Sequence, residues 1–200
     1  MRILLWIAAL LPAMYAMLRF SVQWHPAWLH DVLIFIDSYL HMNLTKYPAD
    51  PLKFLMHLSG ISTLWLLAAT LTVTPLRSYL GINLIKHRRF LGLFTFAYAV
   101  IHLMLFVGVD QQFDLRGVWH EATTKPFIAF GMGSFAVLVL MAATSTKKLY
   151  GSFKGWHKLV YVAVVLIALH YLLGHKTITL THIGVVGILF MLLALRLLKR

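Results

Sequence analysis

Four histidines stand within or at the mouths of stretches that otherwise carry no charge. His102 lies inside an apolar run at 90–109 and His170 inside another at 159–174, with His57 and His157 at the mouths of two such runs. An ionisable side chain in hydrocarbon is costly, so it usually faces a bundle interior and has a partner there. Neutral imidazole is also the commonest protein ligand for metals, heme iron included. Histidines on facing helices are how a helical core holds a heme. The competing reading for each is a core imidazole hydrogen-bonded to a backbone carbonyl, and for His57 a partner that supports another ligand. His25, His30, His41, His87, His120, His175 and His182 lie in loops or at helix ends, where a polar residue needs no function.

The elements that must position these residues are membrane helices. Of 200 residues, 60% are hydrophobic and 12% charged, against about 25% charged in a soluble domain. Six apolar stretches, 3–20, 54–74, 90–109, 126–143, 159–174 and 183–198, are long enough or nearly so to cross a bilayer. They lack period-two alternation, and only helices or closed barrels satisfy their backbone in lipid. The expected fold is an all-α integral membrane bundle of six transmembrane helices, forming one domain over 1–200. Residues 21–53 hold a shorter apolar stretch at 31–37 among Trp24, Trp28 and Tyr39, which reads as an interfacial helix. The first stretch follows Arg2 and has no convincing cleavage site, so it is read as a retained helix rather than a signal peptide.

A net charge of +12 invites a nucleic-acid reading, and the placement of the charges rejects it. Arg77, Lys86, Arg88 and Arg89 lie between the second and third stretches, and Lys147, Lys148, Lys154 and Lys158 between the fourth and fifth. Arg2, Arg196, Lys199 and Arg200 flank the termini, so these twelve share one membrane side. Asp31, Asp37, Asp50, Asp110, Asp114 and Glu121, all the acids, fall on the other. Basic loops stay in the cytoplasm, which puts both termini inside and the acidic loops outside, with some attraction of the cations to anionic lipid. The absence of cysteine removes disulfides, thiolate-held iron–sulfur clusters and Cys-type zinc sites together.

With that topology, His57, His102 and His170 share the outer level and His157 stands alone at the inner one. The rise from His157 to His170 is roughly 20 Å at 1.5 Å per residue, about the span of two hemes stacked across a bilayer. Thirteen residues on an ideal helix would, however, turn the two side chains roughly 140° apart. At the inner level Arg88, with Arg89 beside it, lies about four turns before His102 on nearly the same face, and it could pair with a heme propionate or face the heme opposite His157. Gly131 and Gly133 read as residues that allow close helix packing.

At this point the motifs resemble a known family. Phe54-Leu55-Met56-His57-Leu58-Ser59-Gly60, Val73-Thr74-Pro75-Leu76-Arg77 and Arg88-Arg89-Phe90-Leu91-Gly92-Leu93, running on to Ile101-His102-Leu103, resemble successive signatures of the MsrQ (YedZ) family. So do Thr124-Lys125-Pro126, Thr144-Ser145-Thr146, Trp156-His157-Lys158-Leu159-Val160-Tyr161 and Leu169-His170-Tyr171. The resemblance runs from about residue 48 to the C-terminus, while the first outer loop is longer than the family pattern. MsrQ is the heme-binding membrane subunit of a bacterial methionine sulfoxide reductase system, within the ferric-reductase-like superfamily.

The resemblance implies an electron conduit of the bacterial inner membrane, multi-pass and carrying one or two b-type hemes, with FMN as a further cofactor. Electrons would come from the quinone pool or a cytoplasmic flavin reductase. They would pass to a periplasmic molybdenum subunit resembling MsrP, which reduces methionine sulfoxide in oxidised proteins; the chain itself would do no substrate chemistry. It further implies that His102 and His170 are the outer heme pair and His157 an inner ligand, with Arg88 standing where many superfamily members have a second inner histidine. Two other functions compete: a ferric reductase or quinone-linked cytochrome with another partner, and a transporter whose histidines bind metal or relay protons.

Overall fold

The computed structural model describes residues 2–21, 26–145 and 158–198. Every regular element among them is helical: α1 (Arg2–Phe20), α2 (Ala27–Leu40), α3 (Pro51–Leu80), α4 (Ile85–Met104), α5 (Leu115–Thr124), α6 (Pro126–Ala143), α7 (Val160–Leu173) and α8 (Leu180–Leu198). Four helical segments, Pro51–Leu80, Ile85–Asp110, Pro126–Ala143 and Leu180–Leu198, are long and apolar enough to cross a membrane; Leu5–Phe20 and Val160–Leu173 are shorter apolar helices. His157, with the rest of 146–157, lies outside the described residues.

Local chemistry sets the ends of the central helix. Asp50 caps α3 by accepting the Lys53 N–H at 2.9 Å, Pro51 occupies the first position where no donor is needed, and Gly81 closes it at φ 70°. The Ile82 N–H donates back to Leu76 O, which satisfies an orphan carbonyl of the last turn. The second apolar stretch is read as ending at 74, whereas the helix runs on to Leu80, and Pro75 itself is buried. The hydroxyls of Thr63, Thr70 and Thr72 donate to the carbonyls four residues earlier. A hydroxyl spent in this way can face an apolar interior without leaving a polar group unpaired.

Packing arranges the bundle as two helix pairs. α3 lies along α4 and α6 along α7, each the most extensive contact of its members, and α8 packs on α3. Leu64, Leu67 and Leu71 of α3, Leu138 of α6, Val164 and Ile167 of α7 and Leu189 of α8 meet in one core. The outside is the reverse of a soluble protein's: Leu180 is 86% exposed and Met17 75%, as expected where lipid rather than water is the neighbour.

On one end of the bundle the long connection at 21–50 contains α2, which covers the short apolar stretch read from sequence but is twice its length. It buries Leu33 and leaves Trp28, Phe35 and Tyr39 exposed. α5 was not anticipated. Asp114 caps it, accepting the Arg116 N–H at 3.0 Å; Val118 points inward and Trp119 outward. Between α4 and α5 the chain widens into a π-turn over Leu105–Asp110.

Candidate functional site

The two pairs of helices each deliver one imidazole to a common point. His102 comes from α4 and His170 from α7; their ring centroids are 6.1 Å apart with planes at 82°. The His102 Nδ1–H donates to Met56 O of α3 at 2.9 Å, with Ser59 Oγ 3.3 Å from the same nitrogen. The His170 Nδ1–H donates to Phe127 O of α6 at 2.7 Å. A carbonyl oxygen can only accept, so Nδ1 carries the proton in both rings and each Nε2 keeps its lone pair. Such bonds fix the tautomer and orientation of a ligating histidine and raise its basicity.

Each ring also rests where a glycine leaves room. A Cβ on Gly60, four residues after Met56, would lie 3.2 Å from His102 Cε1. A Cβ on Gly131, four residues after Phe127, would lie 2.7 Å from His170 Nδ1, closer than carbon and nitrogen can approach. The same device therefore occurs twice, with a carbonyl and a glycine one helical turn apart holding the imidazole of the next helix. Gly131 thus makes space for the His170 ring. Gly133, whose Cβ would meet Leu166 at 3.6 Å, fits the plain packing role read for both.

Two imidazoles are too few to cage a bare ion, and among the described residues no group of three or more His, Asp or Glu is placed to hold one. A metal that brings its own equatorial ligands needs only two axial donors. Metal–imidazole bonds are about 2 Å long, so rings on opposite sides of one iron have centroids roughly 6 Å apart. The His102–His170 pair fits a heme by that measure, by its free Nε2 atoms and by its glycine cradles.

The other site residues that the structure describes fall into two cavities. His57 lines one of about 870 Å³ beside His102, together with Arg19, Lys53 and His175; it does not belong to the facing pair. His175 and His182, which the sequence reads as loop residues, lie with ring centroids 4.0 Å apart and planes tilted by 37°. Their position was readable, since both flank the turn that follows His170. Arg88 and Arg89 line a second, mostly apolar cavity of about 470 Å³ with Thr70, Thr95 and Ser145.

A model of the "Ferric reductase like transmembrane component" family matches residues 55–168, more than half of the chain, and this stretch contains His57, His102 and Arg88. The chain belongs to this family. It is a multi-pass membrane protein, and the resemblance read from its motifs is borne out by its relatives. Proteins named as the protein-methionine-sulfoxide reductase heme-binding subunit MsrQ in Brucella ovis, Brucella canis and Brucella melitensis are each 41% identical to it over 133 residues, 64% of this chain and 60% of theirs. The match thus spans about 60% of the length of these curated relatives. No solved structure matches the chain.

Proposed function

We propose that this ferric-reductase-like protein is a heme b electron-transfer subunit of the bacterial inner membrane, with His102 and His170 as the axial ligands of one iron. The observation that carries this reading is the facing pair of rings, each with Nδ1 bound to a carbonyl and Nε2 free. The name of the relatives supports the cofactor, since they are heme-binding subunits of a methionine sulfoxide reductase. A heme held there supplies a one-electron couple. The chain's own part is to set the ring orientations, to keep water away and to tune the couple through the Met56 and Phe127 carbonyls.

The whole chain acts as one domain with six crossings and both termini in the cytoplasm. Electrons enter from the quinone pool or a cytoplasmic flavin reductase and leave at the outer face for a periplasmic molybdenum-containing catalytic subunit, resembling MsrP, that repairs oxidised proteins. His57 supports the outer site from the cavity beside His102. At the inner side His157 is the proposed ligand of a second heme. The cavity edged by Arg88 and Arg89 suits an apolar ring with an anionic tail, either that heme's propionates or the phosphate of FMN.

The decisive experiment is optical and electron paramagnetic resonance spectroscopy on purified protein. The expected result is a Soret band with a low-spin bis-imidazole signal, lost in either His102→Ala or His170→Ala. A full signal in both variants would require His57 as a ligand instead, and a protein without Soret absorption but with metal-dependent flux in liposomes would point to transport.

A further inference from the structure

We propose that Arg19 binds a propionate carboxylate of the outer heme, an assignment that rests on the ligand pair proposed above. A porphyrin's carboxylates cannot be left in hydrocarbon without water or a cation. The cavity lined by His102 also holds the last turn of α1 and the first turn of α3, and Arg19 and Lys53 line it there.

Arg19 is held in place rather than free to extend. Its guanidinium lies 4.8 Å from the centre of the Phe54 ring and 5.9 Å from that of Tyr15. Its Nε–H donates to Lys46 O at 2.9 Å and an Nη1–H reaches Tyr15 Oη at 3.4 Å, while the Tyr15 hydroxyl itself donates to Met42 O at 2.8 Å. The connection before α3 therefore anchors this cation directly through Lys46 O and indirectly through Met42 O, which holds Tyr15, and this gives the extended first outer loop a purpose.

Of the five donors a guanidinium carries, two are spent in these bonds and three are left, both N–H groups of Nη2 among them. No carboxylate of the described residues forms an ion pair with Arg19; Asp50, in the same cavity, caps the Lys53 N–H. A snorkelling arginine seeking lipid phosphate would need neither an aromatic platform nor loop carbonyls. A pinned planar fork suits a carboxylate in a fixed position.

The test uses full-length protein loaded with heme or with heme dimethyl ester, and reads the rate of transfer to excess apomyoglobin alongside the midpoint potential of the low-spin heme. Arg19→Gln should speed loss of heme by about tenfold, the scale of one hydrogen bond to a charged group. It should also lower the potential, because removing a nearby cation favours the more positive ferric state. Loss of the dimethyl ester should be fast in wild type and no faster in Arg19→Gln. Arg19→Lys should restore part of the difference, and it carries the same comparison if the glutamine variant does not accumulate. Unchanged heme loss would assign Arg19 to lipid phosphate, and equal acceleration with heme and ester would make it purely structural; either result overturns the proposal. A wild-type protein lacking the bis-imidazole spectrum would instead overturn the ligand pair itself.

Discussion

At the scale of residues, the imidazoles are placed by backbone as much as by their own position. Gly131 and Gly60 allow a graded test. Gly131→Ala puts a Cβ 2.7 Å from His170 Nδ1, so the ring must abandon Phe127 O; overpacking of this kind costs about 1–3 kcal/mol. The low-spin signal should collapse. Gly60→Ala, at 3.2 Å from His102 Cε1, should keep the signal and shift its potential. Gly133→Ala, at 3.6 Å from Leu166, should be silent. Optical spectra and cofactor content measure all three, and equal behaviour of Gly131→Ala and Gly133→Ala would deny the cradle a role. The 82° between ring planes adds a signature. If His102 and His170 both hold one iron at this angle, two of its d orbitals would lie close in energy, and a strongly anisotropic signal dominated by one large g value is expected in place of a rhombic triplet.

At the scale of elements, sequence was a good guide to which stretches are helical and a poorer one to where they stop. Apolar runs without alternation have one solution in lipid, which is why 90–109 and 126–143 agree closely with α4 plus its π-turn and with α6. The stretch 54–74 stops short because hydropathy falls at Pro75 and Arg77 and proline usually ends a helix, whereas α3 continues to Leu80. α5 escaped notice because ten residues of mixed polarity carry no strong period. Counting residues along the helices puts His57, His102 and His170 at one level, and it is the family resemblance that singles out His102 and His170 as the pair. The Met56 and Phe127 carbonyls could not be read, since any residue supplies a carbonyl, and Arg19 depends on a loop fold that local pattern does not encode. Within α3, Leu71 is 0% exposed in the common core, and Leu71→Ala should cost about 2–5 kcal/mol. A change in heme-loaded thermal stability in detergent below 1 kcal/mol would show that the core can collapse around the gap.

For the molecule as a whole, the charge asymmetry predicts orientation. Reporter fusions after residue 200 should report cytoplasm and insertions within 111–114 periplasm, because basic loops are retained on the inner side. A periplasmic C-terminus would invert the proposed direction of electron flow. The duplicated carbonyl–glycine device has a further consequence, for how the protein is made. The carbonyl and glycine that hold His102 both belong to α3, and those that hold His170 both belong to α6, so the contacts that aim each nitrogen lie within one half of the chain. A chain severed within 111–114 and produced as two polypeptides should therefore regain its spectrum when the halves are co-expressed, and neither half alone should show it. Iron would then be the last part fitted, a clasp across two pieces that already meet in the common core.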